Sequence, residues 1–561
     1  MQSRLFGYHS DCRRYNDQGV RSASNARPSR SRGRHRRGRV DDLPGAADFV
    51  RRDPRGSRSA VPQAHLFSIL RLTDDGKLVL LSTLMLVPLA GAGAIAIAPA
   101  DALRACRPIA IAATSAALVL ACLLVHLFDP ADPGIQLFET HRWNPRFGTS
   151  FSLGIDGISL PLVVLAALLC LIAVLASASV RERIKGYYLL MLLLEAALFG
   201  VFMARDWSLF YVFWELTLIP LFFLIDRHGG ENRHRAAINF VLYTMGGSVF
   251  MLIGLLVLFD ASPSHTFNMA DMRSGALTLP VAAQTAIFVG FFIGFAVKMP
   301  VFPFHGWLPL AHVEAPSPVS ILLSGVLLKM GSYGLIRAVD TLPAGALALQ
   351  VWLAALAVAS MLYGAVLAWQ QRDLKAMVAY SSVSHMGVVL LGIAALNSAG
   401  LTGAVMQMIA HGLVAGALFL LVGQLYERTH TRDIAAYGSL AGATPRFAMF
   451  TVIAFVGAIG MPGTAGFVAE LHALIGGFER WGIWVVAMSL AVLVSAAYAL
   501  RTIGRLLTGP ARPELAGIAD MTMAETAAAG LLCAGILALG LLPAPALHVI
   551  HSSIRELARL F

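Results

Sequence analysis

Lys298 and Lys329 fall inside apolar stretches, AIFVGFFIGFAVKMPVFPFHGW and ILLSGVLLKMGSYGLI, where no water is at hand to solvate an ammonium. Glu195, Glu215 and Glu470 repeat the pattern with the opposite sign. A charge at bilayer depth costs roughly 2.5 kcal/mol or more, and ionisable residues there mark ion or proton routes. Acids and bases spread over several apolar segments can hand a proton from one to the next. Charge translocation is the chemistry these residues suit.

Glu215 lies in RDWSLFYVFWELTLIPLFFLI, nine residues into the apolar span 206–226. A lone carboxylate in hydrocarbon takes up a proton, whereas a neighbouring cation keeps it charged. Lys298 is the expected counter-ion, and a pair that opens and closes would switch the proton affinity of the next lysine. Such groups titrate as a unit. A static ion pair bracing two helices is the other reading. Lys329 is the next station: some ten apolar residues flank it on each side, too many for its ammonium to reach the interface. Buried lysine can give up its proton, which arginine does not. His385 in AYSSVSHMGVV and His411 in VMQMIAHGLVAG continue the series, and histidine passes protons between its two nitrogens. Glu470 closes the row.

Other residues are open to more than one role. His305, His312 and Glu314 in HGWLPLAHVEAPSPVS line a channel mouth or cap helix ends. Arg205, Asp206 and Arg337 sit near segment ends, where interfacial anchoring is expected. The five cysteines are scattered without a CxxC pair, so they frame neither a disulfide scaffold nor a metal site. No His/Asp/Glu cluster has ligand spacing, and no dinucleotide fingerprint or P-loop stands in a soluble context. The GAGAIA stretch at 91–96 lies within an apolar helix.

The elements that must position these groups are membrane helices. The chain has 561 residues, 57% hydrophobic and 13% charged, against about 25% charged in soluble domains. Windows of about 20 apolar residues predict fourteen spans. Their limits are 78–98, 108–128, 158–180, 187–204, 206–226, 236–259, 281–300, 317–338, 345–369, 375–397, 400–425, 447–475, 482–508 and 524–546. The expected fold class is all-α and polytopic. Two spans look interrupted: the seventh by Pro300 and Pro303, the twelfth by Pro462 among Gly460, Gly463 and Gly466. Paired interruptions 162 residues apart suggest two inverted repeats with discontinuous seventh and twelfth helices. Independent kinks would be the plainer account.

The net charge of +11 is unevenly placed. Residues 1–60 carry 15 Arg and 6 Asp, and the other 501 residues are nearly balanced at +2. The basicity therefore argues for no nucleic-acid partner of the body. With the N-terminus outside, the cytoplasmic loops and the span ends beside them hold sixteen Lys/Arg against eight opposite, which places both ends of the body outside. An Arg-rich leader would then have to cross the membrane. Residues 1–75 are thus expected to be a disordered Arg-rich leader, a mis-set start or dispensable extension rather than an RNA- or lipid-binding or transit-like segment, with 76–561 the membrane domain.

The segments SFSLGIDGISLPLVVL, LFYVFWELTLIPLFFLI, KMPVFPFHGWLPLAHVEAPSPVSILLSGVLLKMGSYGLIR, AYSSVSHMG and GMPGTAGFVAE closely resemble the antiporter-like membrane subunits of bacterial NADH–quinone oxidoreductase (respiratory complex I) and the related Mrp-type cation/proton antiporters. The resemblance runs from about residue 78 to the end. It implies that Glu215 and Lys298 form the gating pair, Lys329 is the central lysine, His385 and His411 are relay histidines, and Glu470 is the terminal proton site. Glutamate at 470 favours the subunit M branch over its lysine-bearing sisters, and Arg432 matches a basic position of the family. Leu310 departs from the polar residue many members carry, and Ser-Pro-Val-Ser is similar to Mrp and hydrogenase-linked relatives. The implied function is proton translocation in the bacterial inner (cytoplasmic) membrane, coupled to NADH-to-quinone electron transfer. The chain would hold no cofactor of its own. NAD, FMN, iron–sulfur clusters and quinone would belong to the partner subunits of the membrane and peripheral arms.

Overall fold

The computed structural model describes residues 79–561 except 100, 101, 511 and 516. The leader expected over residues 1–75 lies outside the described residues. Thirteen described helices are long and apolar enough to cross a membrane. In chain order the first eleven are α1 (Leu80–Ile97), α2 (Leu103–Leu127), α3 (Ser159–Ser179), α4 (Ile184–Met203), α5 (Trp207–His228), α6 (Arg233–Ala261), α7 (Val281–Lys298), α8 (Ser317–Thr341), α9 (Gln350–Gln370), α10 (Leu374–Ala394) and α11 (Ser398–Thr429). Next come two shorter helices, α12 (Pro445–Ile459) and α13 (Ala465–Trp481), then α14 (Trp484–Leu507) and α15 (Met523–Leu541). A helix satisfies its own backbone, the only way for a single segment to lie in hydrocarbon.

The predicted interruptions are present. After Lys298 the α7 helix stops, and the chain resumes as a short helix, Leu308–Glu314, before α8. The predicted twelfth span, 447–475, is instead two helices, α12 and α13, separated by residues 460–464. Gly460 ends α12 at φ +72°, a left-handed conformation that costs glycine little. Two further interruptions carry no proline signature as clear as these. In α5 the helix breaks at Thr217, and within α8 residues Leu323–Leu327 form a π-turn. Such turns cluster at functional sites.

Two elements were not foreseen. The stretch 129–157 holds an antiparallel hairpin, β1 (Gln136–Asn144) and β2 (Thr149–Ile155), with Glu139 opposite Leu153. Glu139 is there for a reason: its carboxylate accepts from the N–H groups of Leu81 and Ser82, 2.7 and 3.0 Å away, at the start of α1. An anion at a helix N-terminus satisfies orphan donors and the dipole together. After α15 a final helix, α16 (Ala544–Ala558), buries Ile550, Ser553, Ile554 and Leu557 on one face.

α8, α10 and α11 form the centre, while α2, α6, α14 and α15 leave most of their apolar surface outside. Core position, not hydropathy, therefore separates the charge-bearing helices from the rest. At one end of the bundle, Asp156 binds Arg337 at 2.7 Å and Arg205 at 3.3 Å, all three buried. The expected interfacial anchors Arg205 and Arg337 are thus members of a buried ion cluster. Asp206 instead caps α5 through Ser208 and Leu209. Burial alone would raise the Asp156 carboxyl, but Arg205 and Arg337 hold it well below the usual carboxylate range. That depression is stabilising above the unfolded value of about 3.9 and is lost as pH falls through the folded one. Asp156→Asn leaves two buried guanidiniums without a counter-charge. The expected cost is about 3–5 kcal/mol, read as a lowered unfolding temperature of the purified protein.

Candidate functional site

The π-turn in α8 prepares the seat of Lys329. There the Leu328 N–H donates to the Leu323 carbonyl, one residue further back than in an α-helix. The Ser324 carbonyl is thereby available and accepts from the fully buried Lys329 ammonium at 2.6 Å. The same Nζ lies 2.6 Å from His411 Nδ1 on α11. An apolar sequence has thus been folded so that a lone cation meets two acceptors.

From His411 the row continues. Its ring centroid is 5.4 Å from that of His385 on α10. His385 Nδ1 lies 3.3 Å from Gln407 Nε2 and 3.5 Å from Glu470 Oε1 on α13. The Glu470 carboxylate presses on the break between α12 and α13, where a side chain at Gly460 would collide with it. Lys329, His411, His385 and Glu470 therefore form one contiguous line of titratable groups across three core helices and the broken one. Among the described residues, His385 Nε2 and His411 Nε2 are buried without a partner. Unpaired polar atoms in a dry core cost about 1–3 kcal/mol each.

At the other break the expected Glu215–Lys298 ion pair is not closed. Lys298 is fully buried, and its ammonium donates to Thr217 Oγ1 at 3.2 Å and to the Trp214 carbonyl at 3.4 Å. It also stands 4.5 Å from the Trp214 ring centroid. Among the described residues, Glu215 Oε1 has no hydrogen-bond partner. The interruption of α5 explains the arrangement, because Thr217 at the break offers a neutral seat within reach of the lysine. The Glu215 carboxylate acts on this ammonium electrostatically without a hydrogen bond to it.

The secondary candidates divide. Glu195 on α4 is fully buried beside Cys170, with neither carboxylate oxygen partnered among the described residues, and it is not joined to the row. His305 packs its ring edge-on to Tyr363, centroids 5.2 Å apart. His312 is buried and stacked on Phe419 of α11 at 4.5 Å, both nitrogens unpartnered among the described residues. Glu314 caps the 229–232 turn, its carboxylate accepting from Asn232 N–H at 3.0 Å. Arg432 binds Asp373 at 3.0 Å and donates to the Val313 carbonyl at 2.7 Å. Lys375, the first residue of the predicted span 375–397, is buried at the start of α10. Its signal was the Asp373 two residues earlier, the N-cap that pulls Lys375 into the first turn. Among the described residues no group of three or more His, Cys, Asp or Glu could hold a metal.

The family model described as NADH:quinone oxidoreductase/Mrp antiporter, TM matches residues 204–495. The chain is 40% identical over 497 residues to "NADH-quinone oxidoreductase subunit M" of Rhodobacter capsulatus, covering 86% of this chain and 96% of the relative. To "NAD(P)H-quinone oxidoreductase chain 4 2" of Thermosynechococcus vestitus it is 38% identical, covering 85% and 92%. A chain of respiratory complex I from Thermus thermophilus with bound NADH superimposes with a TM-score of 0.78 at 33% identity, over 86% of this chain and 99% of that one. A chain of the Mrp complex from Dietzia shares the fold, with a TM-score of 0.77 at 24% identity over 86% and 98%. This chain belongs to the NADH:quinone oxidoreductase/Mrp antiporter family of polytopic membrane proteins.

Proposed function

We propose that the chain is a proton-translocating membrane-arm subunit of NADH–quinone oxidoreductase, of the subunit M type. The observation that carries this reading is the unbroken line Lys329–His411–His385–Glu470, running through the core into a helix break. Glu215 and Lys298 at the other break form the switch. When Lys298 leaves Thr217 for Glu215, its charge recedes from or approaches the central lysine, and the field at Lys329 changes. Coulomb coupling in a low-dielectric core is strong enough for such a shift to move a proton. Lys329 then delivers its proton to His411 Nδ1, and His385 passes one on to Glu470. Glutamate at position 470 supports the subunit M branch.

Electron transfer belongs to other subunits, where NAD, FMN, iron–sulfur clusters and quinone reside, and the chain itself supplies the proton path. Its partners are the neighbouring membrane-arm and peripheral-arm subunits and the lipid of the bacterial inner membrane. A tagged, gently solubilised complex should carry NADH-to-quinone activity together with flavin and iron–sulfur signals. A complex lacking those cofactors and exchanging sodium for protons would replace this reading with an Mrp-type or hydrogenase-linked antiporter, whose fold is the same.

A further inference from the structure

Lys375 is a buried cation that the proposed route leaves unused. It is 4% exposed, and its ammonium donates to the Ala315 carbonyl, in the gap between Leu308–Glu314 and α8. That gap exists because Pro316 and Pro318 cannot continue the short helix. Segments from three loops on the basic, cytoplasmic side of the charge pattern converge here. Arg432 donates to Val313, Asp373 binds Arg432, and the 229–232 turn is tied to Glu314.

Inward of this collar stands His312, buried and stacked on Phe419, with both nitrogens free among the described residues. Lys375 and Lys329 are the two cations whose charges act on it. Ser317, two residues after Ala315, and Gln424 line a cleft of about 210 Å³ that also reaches Arg107, Glu427 and Glu525. Gln424 is 6% exposed, and among the described residues its Oε1 has no partner. The charged groups around Lys375 are thus His312, Glu314, Asp373 and Arg432, with Lys329 beyond the histidine.

We infer that Lys375 is the cytoplasmic loading station of the proton route, feeding Lys329 through His312. This rests on the proposed function, since it supplies that route with an entrance. In the step, the Lys375 ammonium gives one N–H proton to the unprotonated ring nitrogen of neutral His312. The opposite ring nitrogen releases its proton to neutral Lys329, and the Lys375 amine regains one from water in the cleft. Lys329 ends with the one positive charge that the aqueous cleft has given up, and His312 and Lys375 end as they began. A backbone cap would look the same in a static structure, but it needs only a cation and a donor.

Arginine supplies both and cannot release a proton. Lys375→Arg should therefore assemble normally yet lower proton translocation at least about tenfold, as should Lys375→Met. Lys375→His keeps a titratable group and should recover part of the transport, with the pH optimum moved to the acid side. All three are read in inverted vesicles as the pH gradient formed per NADH oxidised, beside the unmodified protein. Unchanged pumping by Lys375→Arg, or an assembled Lys375→His as inactive as Lys375→Met, would overturn the station. If the unmodified complex oxidises no NADH but exchanges sodium for protons, the functional reading fails alone. The same variants are then compared by exchange rate.

Discussion

Lys329→Met should abolish NADH-driven proton translocation while the complex still assembles. Methionine fills nearly the same volume in the dry centre of α8 without a charge to bury, so packing is retained. What it removes is the group that links the Ser324 carbonyl to His411 Nδ1, each 2.6 Å from the ammonium. Two acceptors are left unpaired, a loss of about 1–3 kcal/mol each, tolerable in a core of this size. The functional loss is larger. A positioned proton-transfer group contributes about 10²–10⁴-fold, and no neighbouring base stands where Lys329 does. Lys329→Arg is the companion variant, because it keeps the charge and withholds the proton. The measurement is the NADH-dependent pH gradient in vesicles, scaled to the amount of assembled complex. Sustained pumping in either variant would remove Lys329 from the route.

Glu215→Gln is the second large effect. The structure holds Lys298 on Thr217 and the Trp214 carbonyl, with Glu215 Oε1 unpartnered among the described residues. Glutamine keeps the shape of the side chain and deletes the charge that would draw the lysine away. Lys298 is then left in its present seat, and pumping should fall at least about tenfold, the factor that 1.4 kcal/mol of lost bias produces. Lys298→Met removes the mobile charge itself and should fall as far. Joining the two tests the switch: the double variant should be no worse than either single, because both delete one interaction. Additive losses would mean that Glu215 and Lys298 act separately.

Much of this was legible in one dimension. Membrane helices announce themselves because twenty apolar residues have no other stable place, and the buried acids and bases stand out against them. The breaks beside Lys298 and Glu470 were legible because proline removes a donor. The hairpin 136–155 was not, since Glu139, His141 and Arg142 interrupt any apolar alternation. Neither was α16, whose one-sided stripe is shorter than a span. Lys375 was hidden by its position at a helix end beside polar residues, where exposure is the ordinary outcome.

The sequence by itself determined the solvent of the fold, the order of its spanning segments, and which side chains are too costly to bury without a partner. Each of these follows from local transfer free energy, which depends on residue type and spacing alone. Only the tertiary structure decided adjacency. Lys329 meets His411 across 82 positions of chain, His385 approaches Glu470 across 85, and Lys298 rests on Thr217 rather than Glu215. Such contacts depend on helix rotation and on a π-turn one residue out of register. Small angular differences of that kind are set by packing over the whole core and leave no periodic trace in the chain.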